Sequence, residues 1–355
     1  MKTSTAKTKR QSTLRLLALL AAFAFVAAAC GGGDEETSNV ATSECGSDDG
    51  FAVADSPATD LSVAIVAPSA SQDLAFTQSM VQAIESMGIE PLVTDGTFVV
   101  EEAAAAIRGY AEEDIDIVIA HGTQYGGSLA EIAPDFPETS FIWGTSSDNQ
   151  GLDNVFAYTP AADEGAYVMG TIAAQLSETG TIGMVGPIDA GDASLYVQGF
   201  EAGAEAEGAN VAVTFTESFG DVALATEAAN AHIDAGADVL TGTAQHVVGA
   251  IQVASNNDVP WFGTQSNQES LATDLVVASQ VYHWEVVLDD MFELIEGGTL
   301  GGQVFELTLA NDGLVIEFNG CFDLSEDVKN GALDTIDGII EGTSIPACSR
   351  IAQRI

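Results

Sequence analysis

The chain has 355 residues, 46% of them hydrophobic, with 53 acidic side chains against 9 basic ones and a formal net charge of −44. That balance excludes a nucleic-acid binder, which needs a basic face to neutralise phosphates, and it excludes electrostatic docking on an anionic membrane surface. The hydrophobic content and a mean hydropathy of +0.21 exclude an intrinsically disordered chain, and the length fits two domains of ordinary size.

The basic residues Lys2, Lys7, Lys9, Arg10 and Arg15 all precede an apolar run from Leu16 to Val26. Residues 1–29 therefore read as a signal peptide, with an apolar run too short to span a bilayer. Ala27-Ala28-Ala29-Cys30 resembles a bacterial lipobox, with Cys30 as the lipidated first residue of the mature chain. Residues 30–59 read as a flexible polar tether, so the folded part is expected outside the cytoplasm, anchored to the cell membrane through Cys30 alone. No acid precedes Asp34, so the chain from position 30 onward carries −49. Self-repulsion on that scale calls for salt screening and predicts a saline habitat. Of the remaining cysteines, Cys321 and Cys348 are the preferred disulfide, and Cys45 paired with one of them is the rival.

From Leu61 the chain alternates β-rich and helical runs. Strands are expected at Leu61–Val66, Glu90–Val93, Ile115–Ala120 and Ser140–Gly144, with helices at Leu74–Met87, Val99–Glu112 and Leu129–Ala133. A long helix over Asp163–Leu176 opens a second series. Its strands fall at Thr181–Val185, Val211–Phe215, Asp238–Leu240 and Trp261–Gly263, and its helices at Ala193–Glu207, Val222–Ala235 and Val247–Asn256. Beyond Gly263 a strand at Leu275–Ser279, a helix at Val286–Glu296 and β-like runs at Val304–Leu309 and Leu314–Phe318 cross back between the two halves. This is an α/β pattern written twice: two lobes, each a parallel sheet flanked by helices. Lobe 1 is assigned residues 60–159 plus 265–297, and lobe 2 residues 160–264 plus 298–355. The hinge is expected near Tyr158–Thr159, Gln265 and Gly297–Gly302.

Enzyme signatures are missing where they would lie. Ala67-Pro68-Ser69-Ala70-Ser71 after the first strand has no glycine, and no Walker A or Gly-x-Ser-x-Gly sequence occurs. The four histidines lack metal-ligand spacing, and His232 reads as a surface or hydrogen-bonded helix residue. No cofactor, metal or catalytic residue is expected. Ligands of open parallel sheets bind beyond the carboxyl ends of the strands, and polar and aromatic side chains gather there. Asp73, Phe76, Thr77 and Gln78 follow the first strand, His121, Thr123, Gln124 and Tyr125 the third, and Trp143 ends the fourth. In the second half Asp189, Asp192, Tyr196, Gln245, His246, Gln265, Asn267, Tyr282 and Trp284 occupy the corresponding places. No cation is placed at a strand end, which favours a neutral, hydrogen-bonding ligand, aromatic or not, with a cationic ligand second.

Several segments carry a family resemblance. Ala166-Tyr167-Val168-Met169-Gly170-Thr171-Ile172-Ala173-Ala174, Gly180-Thr181-Ile182-Gly183-Met184-Val185-Gly186, Gln198-Gly199-Phe200-Glu201-Ala202-Gly203-Ala204, Ser218-Phe219-Gly220-Asp221 and Asp234-Ala235-Gly236-Ala237-Asp238-Val239 are similar to segments of the BMP (basic membrane protein) family. Asp73-Leu74-Ala75-Phe76-Thr77-Gln78 resembles another of its segments. That family comprises substrate-binding lipoproteins of ABC importers, purine nucleoside receptors among them. The resemblance implies a two-lobed type I periplasmic-binding-protein fold and a base-stacking role for Phe76 beside Asp73 and Gln78. Gln265 and Asn267 stand where the family has acids, and a family lysine has no counterpart near Tyr282–Trp284. The expected partners are a neutral small molecule, a nucleoside or nucleobase first, and ABC permease subunits, with the protein acting as a monomer. A ligand-sensing ectodomain and a sugar- or polyol-binding protein are the alternatives.

Overall fold

The computed structural model describes residues 40–43, 45, 53–54 and 56–343. The signal peptide, Cys30 and Cys348 lie outside them.

Short runs of β-branched residues form the strands. In the first lobe these are β2 (Val63–Val66), β3 (Leu92–Thr94), β4 (Ile117–His121), β5 (Ser140–Gly144) and β6 (Val155–Pro160). Every residue of β2, β4, β5 and β6 is buried, as expected of strands covered by helices on both faces. The intervening helices are α1 (Phe76–Ser86), α2 (Val100–Glu112) and α3 (Gly126–Ile132). The second lobe repeats the scheme with α4 (Ala162–Leu176), β7 (Thr181–Gly186), α5 (Gly191–Ala206), β8 (Asn210–Phe215), α6 (Val222–Asp234), β9 (Val239–Gly242), α7 (Val248–Asn256), β10 (Trp261–Gln265) and β11 (Val276–Tyr282). Then follow α8 (Glu285–Glu296), β12 (Val304–Leu307), β13 (Leu314–Phe318) and α9 (Glu326–Ile340), while β1 (Val40–Thr42) precedes everything else.

The first sheet runs β12-β6-β5-β4-β2-β3, parallel throughout. The second runs β1-β13-β11-β10-β9-β7-β8, parallel except where β11 meets β13. Both contain the same doubly wound core, β3-β2-β4-β5-β6 and β8-β7-β9-β10-β11, in which strand order reverses at β2/β4 and at β7/β9. Those reversals are the topological switch points at which ligands sit.

The expected lobe boundaries need correction. Residues 265–297 split: strand β11 joins the second sheet, while α8 packs against α1 and β12 of the first lobe. Residues 298–355 split as well, since β12 joins the first sheet and β13 the second. The chain therefore changes lobe after Pro160, between Tyr282 and Glu285, and between Leu307 and Leu314, rather than at Gln265 and Gly297–Gly302. Hydropathy marks a strand but cannot say which sheet edge it reaches. The segment expected to be wholly tether contributes β1, which pairs parallel with β13, and a disulfide joins Cys45 to Cys321 rather than Cys321 to Cys348.

The segments that carried the family resemblance are packing devices. A Cβ on Gly170 would stand 2.2 Å from the Phe200 carbonyl oxygen, one on Gly199 2.3 Å from that of Asp163, and one on Gly203 2.1 Å from that of Tyr167. Glycine at these positions lets α4 and α5 meet backbone to backbone.

Candidate ligand-binding cleft

The two switch points face each other across a cleft enclosing about 440 Å³, part of it open to solvent. Lobe 1 contributes Pro68 beyond β2, Phe98 beyond β3, Gly122, Thr123 and Gln124 beyond β4, and Phe76 at the start of α1. Lobe 2 contributes Asp192 and Ala193 at the start of α5, Phe219 beyond β8, Ala244 and Gln245 beyond β9, and Gln265 at the end of β10. Ala244 and Gln265 adopt left-handed backbone conformations (φ 76° and 74°), which bulky L-residues rarely do. Strain of this kind concentrates where a chain is bent to present groups to a ligand.

The expected residues fall into two groups. Phe76, Thr123, Gln124, Asp192, Gln245 and Gln265 line the cleft. The others lie outside it, and most support it. Asp73 turns inward to cap α1, its carboxylate accepting from the backbone N–H groups of Ala75 (2.9 Å), Thr77 (3.0 Å) and Gln78 (3.1 Å). Thr77 hydrogen-bonds Ser69, and Gln78 accepts from the Leu74 N–H. Tyr125 donates its hydroxyl to the Thr97 carbonyl (2.8 Å), and Trp143 donates to that of Gly122 (3.2 Å), so both are fixed in the core beneath the loop. Tyr196 bonds Thr241 (2.7 Å), and Asn267 lies on the surface against Glu317. Trp284 is fully buried and donates to Ser79 (2.8 Å).

Behind Phe76 stands an aromatic stack. His121 lies flat under its ring, with centroids 3.8 Å apart and planes at 12°, and Trp284 meets both edge-on. The Phe76 carbonyl can only accept, so His121 donates from Nε2 (3.0 Å) and its Nδ1 accepts from the Tyr158 hydroxyl. Burial drives the His121 pKa down to about 3, against the raising effect of that backbone bond, so the ring is neutral at physiological pH. His246 is likewise neutral: burial lowers its pKa to about 4, and the ring contacts Thr216 rather than the cleft. His232 is buried and donates to the Met184 carbonyl (3.1 Å).

Two aromatic lining residues are not among those expected at the strand ends. Phe98 and Phe219 come from opposite lobes and meet across the mouth, with ring centroids 6.0 Å apart. They follow β3 and β8, the strands at the outer edges of the two sheets. Asp192 accepts a hydrogen bond from Thr145 of the other lobe (3.1 Å). Burial raises the pKa of its carboxyl, and hydrogen bonds from Thr145, the backbone and Gln265 offset part of the rise. Neither lysine nor arginine lines the cleft. Among the described residues no cluster of three or more His, Cys, Asp or Glu side chains could hold a metal, and no helix is long and apolar enough to cross a membrane.

Comparison with known proteins agrees with this architecture. A purine-binding protein of Brucella abortus is 26% identical over 283 residues, covering 78% of this chain and 79% of that protein. The ABC transporter nucleoside-binding protein BmpA of Lactococcus lactis is 24% identical over 326 residues, covering 83% and 93%. The solved structure of an ABC transporter solute-binding protein from Conexibacter woesei superposes with a TM-score of 0.67 at 24% identity, over 79% of this chain and 97% of that one. The profile of one family, described as ABC transporter substrate-binding protein PnrA-like, matches residues 61–346. The chain belongs to this Bmp family of ABC transporter substrate-binding proteins.

Proposed function

We propose that the protein is the lipid-anchored, extracytoplasmic solute receptor of an ABC importer, and that it captures a neutral purine nucleoside or nucleobase between its lobes. The observation that carries this reading is the Phe76 ring, which lines the cleft on one face and rests on a neutral, hydrogen-bonded His121 on the other. A planar heterocycle stacks on such a face without reorganising it. Thr123, Gln124, Gln245 and Gln265 supply donors and acceptors suited to base edges, and the absence of a lining cation speaks against a phosphate or carboxylate ligand. The names of the Brucella and Lactococcus relatives point to the same ligand class.

Phe98 and Phe219 close the mouth by hinge motion at the three crossings, and the closed form docks on the permease as a monomer. Calorimetric titration of the exported domain with adenosine, guanosine, inosine, adenine, glucose and ribose tests the ligand class. Saturable binding of purines, lost in Phe76→Ala, is expected, and binding of the sugars alone overturns the reading. Cys30→Ser is expected to release the protein from the membrane fraction; retention there would refute the lipid anchor.

A further inference from the structure

His121, His232 and His246 are kept from protonating. Burial lowers the pKa of each, and each ring is bonded to a hydroxyl or a backbone carbonyl. His283 differs from them. Its Nδ1 lies 3.1 Å from Glu285 Oε1, and its side chain is 34% exposed. Burial by itself would lower its pKa. The hydrogen bond and charge of Glu285, with the charges of Glu317 and Asp312, more than reverse this and hold the ring above the ordinary histidine value.

The ring stands at the hinge. His283 occupies the crossing from β11 of lobe 2 to α8 of lobe 1, and its backbone N–H donates to the Gly313 carbonyl (2.9 Å) in the crossing from β12 to β13. The carboxylates around it come from three sides. Glu285 opens α8 on lobe 1, Asp312 lies in the β12–β13 crossing, and Glu317 belongs to β13 on lobe 2. The described lysine and arginine pair elsewhere, Arg108 with Asp135 and Lys329 with Glu326. The His283 imidazolium is thus the positive charge that these carboxylates share, and without it like charges face one another across two crossings. The lobes touch in this structure, through Thr145 and Asp192 (3.1 Å) and through Phe98 and Phe219, so the cluster as seen belongs to the closed form.

We propose that His283 is a proton-operated pin of the hinge: its imidazolium ties Glu285 of lobe 1 to Asp312 and Glu317 and favours lobe closure, and loss of the proton releases the lobes to open. This needs the hinge but no particular ligand, so it goes beyond the ligand reading above. The sign follows from the direction of the shift. A histidine raised above its unfolded value contributes fully below about pH 6.5, and the contribution is lost as pH rises through the folded pKa. A partly exposed pair of this kind moves an equilibrium about two- to five-fold.

The test is small-angle X-ray scattering of the ligand-free protein from about pH 6 to about pH 9 in about 0.1 M sodium chloride. Wild type, His283→Gln and Glu317→Gln are compared, with melting temperatures recorded alongside. The radius of gyration of the wild type is expected to rise with pH. In His283→Gln it should match the alkaline wild-type value at every pH, and in Glu317→Gln it should rise less. A flat wild-type profile, or an equal rise in His283→Gln, overturns the proposal. A lower melting temperature in His283→Gln with a scattering profile like that of the wild type would mark the ring as a structural contact and overturn it too. In about 1 M salt the wild-type rise should shrink, and a rise of undiminished size would refute an electrostatic pin.

Discussion

His121 lies flat beneath Phe76 at 3.8 Å and holds the Phe76 carbonyl through its Nε2 proton, so one neutral imidazole fixes both the ring and the backbone of the residue that faces the cleft. The folded-state pKa of about 3 lies below the ordinary histidine value. A base depressed in this way adds no pH dependence above about pH 6.5, where both states are neutral. Below it the unfolded chain gains a proton that the folded one refuses, and stability falls by about 1.4 kcal/mol per pH unit until the folded group titrates. Thermal unfolding between pH 7 and pH 4 should therefore fall more steeply in the wild type than in His121→Phe. Parallel pH profiles would contradict the buried neutral ring.

Phe98 is 53% exposed and touches Phe219 across the mouth. Such a contact contributes about 0.5–1.5 kcal/mol, and only when the lobes are closed. Phe98→Ala should leave the melting temperature of the ligand-free protein almost unchanged while weakening ligand binding roughly three- to ten-fold through faster release. Stopped-flow dissociation measures this directly, and an unaltered off-rate would remove Phe98 from the gate.

Gly203 faces the Tyr167 carbonyl oxygen so closely that a methyl group would sit 2.1 Å from it. Gly203→Ala must push α5 away from α4, and overpacking of this kind costs about 1–3 kcal/mol or more. Differential scanning calorimetry should record a drop of several degrees, about 2–4 °C per kcal/mol for a protein of this size. An unchanged melting temperature would mean that the two helices are not in backbone contact.

The Cys45–Cys321 disulfide spans a sequence separation of 276. Chain entropy alone would make its loss expensive, about 5–6 kcal/mol for so long a loop. However, β1 is only three residues long and its burial is partial, so it can detach from β13 without unfolding the sheet. Cys45→Ser should therefore lower the melting temperature modestly while making the chain near residue 45 the first site of limited proteolysis. Cleavage elsewhere first would show that β1 is not the weak element.

The described part of the chain holds two Lys and Arg side chains, Arg108 and Lys329, each paired with one carboxylate, so the acidic surface is left without cations enough to balance it. Raising sodium chloride from 0.1 to 1 M shortens the Debye length from about 10 Å to about 3 Å and should raise the melting temperature. A melting temperature that stays flat or falls would refute the saline-habitat expectation.

Several elements were legible because the local signal and the fold agree. Strands β5 and β13 fall at their expected bounds, and α4 and α2 within a residue of theirs, since their buried runs or apolar stripes end at residues that change period. The segments Gln198–Ala204 and Ala166–Ala174 read as helices for the same reason, and their glycines are now seen to be spacing residues. Strand β6 and helix α9 went unread. Val155–Pro160 is a buried run ending in proline, and α9 presents only a narrow stripe at Ala332, Ile336 and Ile339.

The amino-acid sequence by itself determined the repeated βα architecture, the acidity, the family and the placing of Phe76 and Gln265 at strand ends, because each depends on residue order within one element or its loop. Tertiary structure alone decided which sheet β11 and β12 join, which cysteine meets Cys321, and which polar side chains reach the cleft. Asp73 and Tyr125 looked like ligand groups in sequence but spend their hydrogen bonds on backbone, whereas Phe98 and Phe219 reach the cleft because two switch points are brought face to face. That opposition depends on contacts far apart along the chain, which no local pattern encodes.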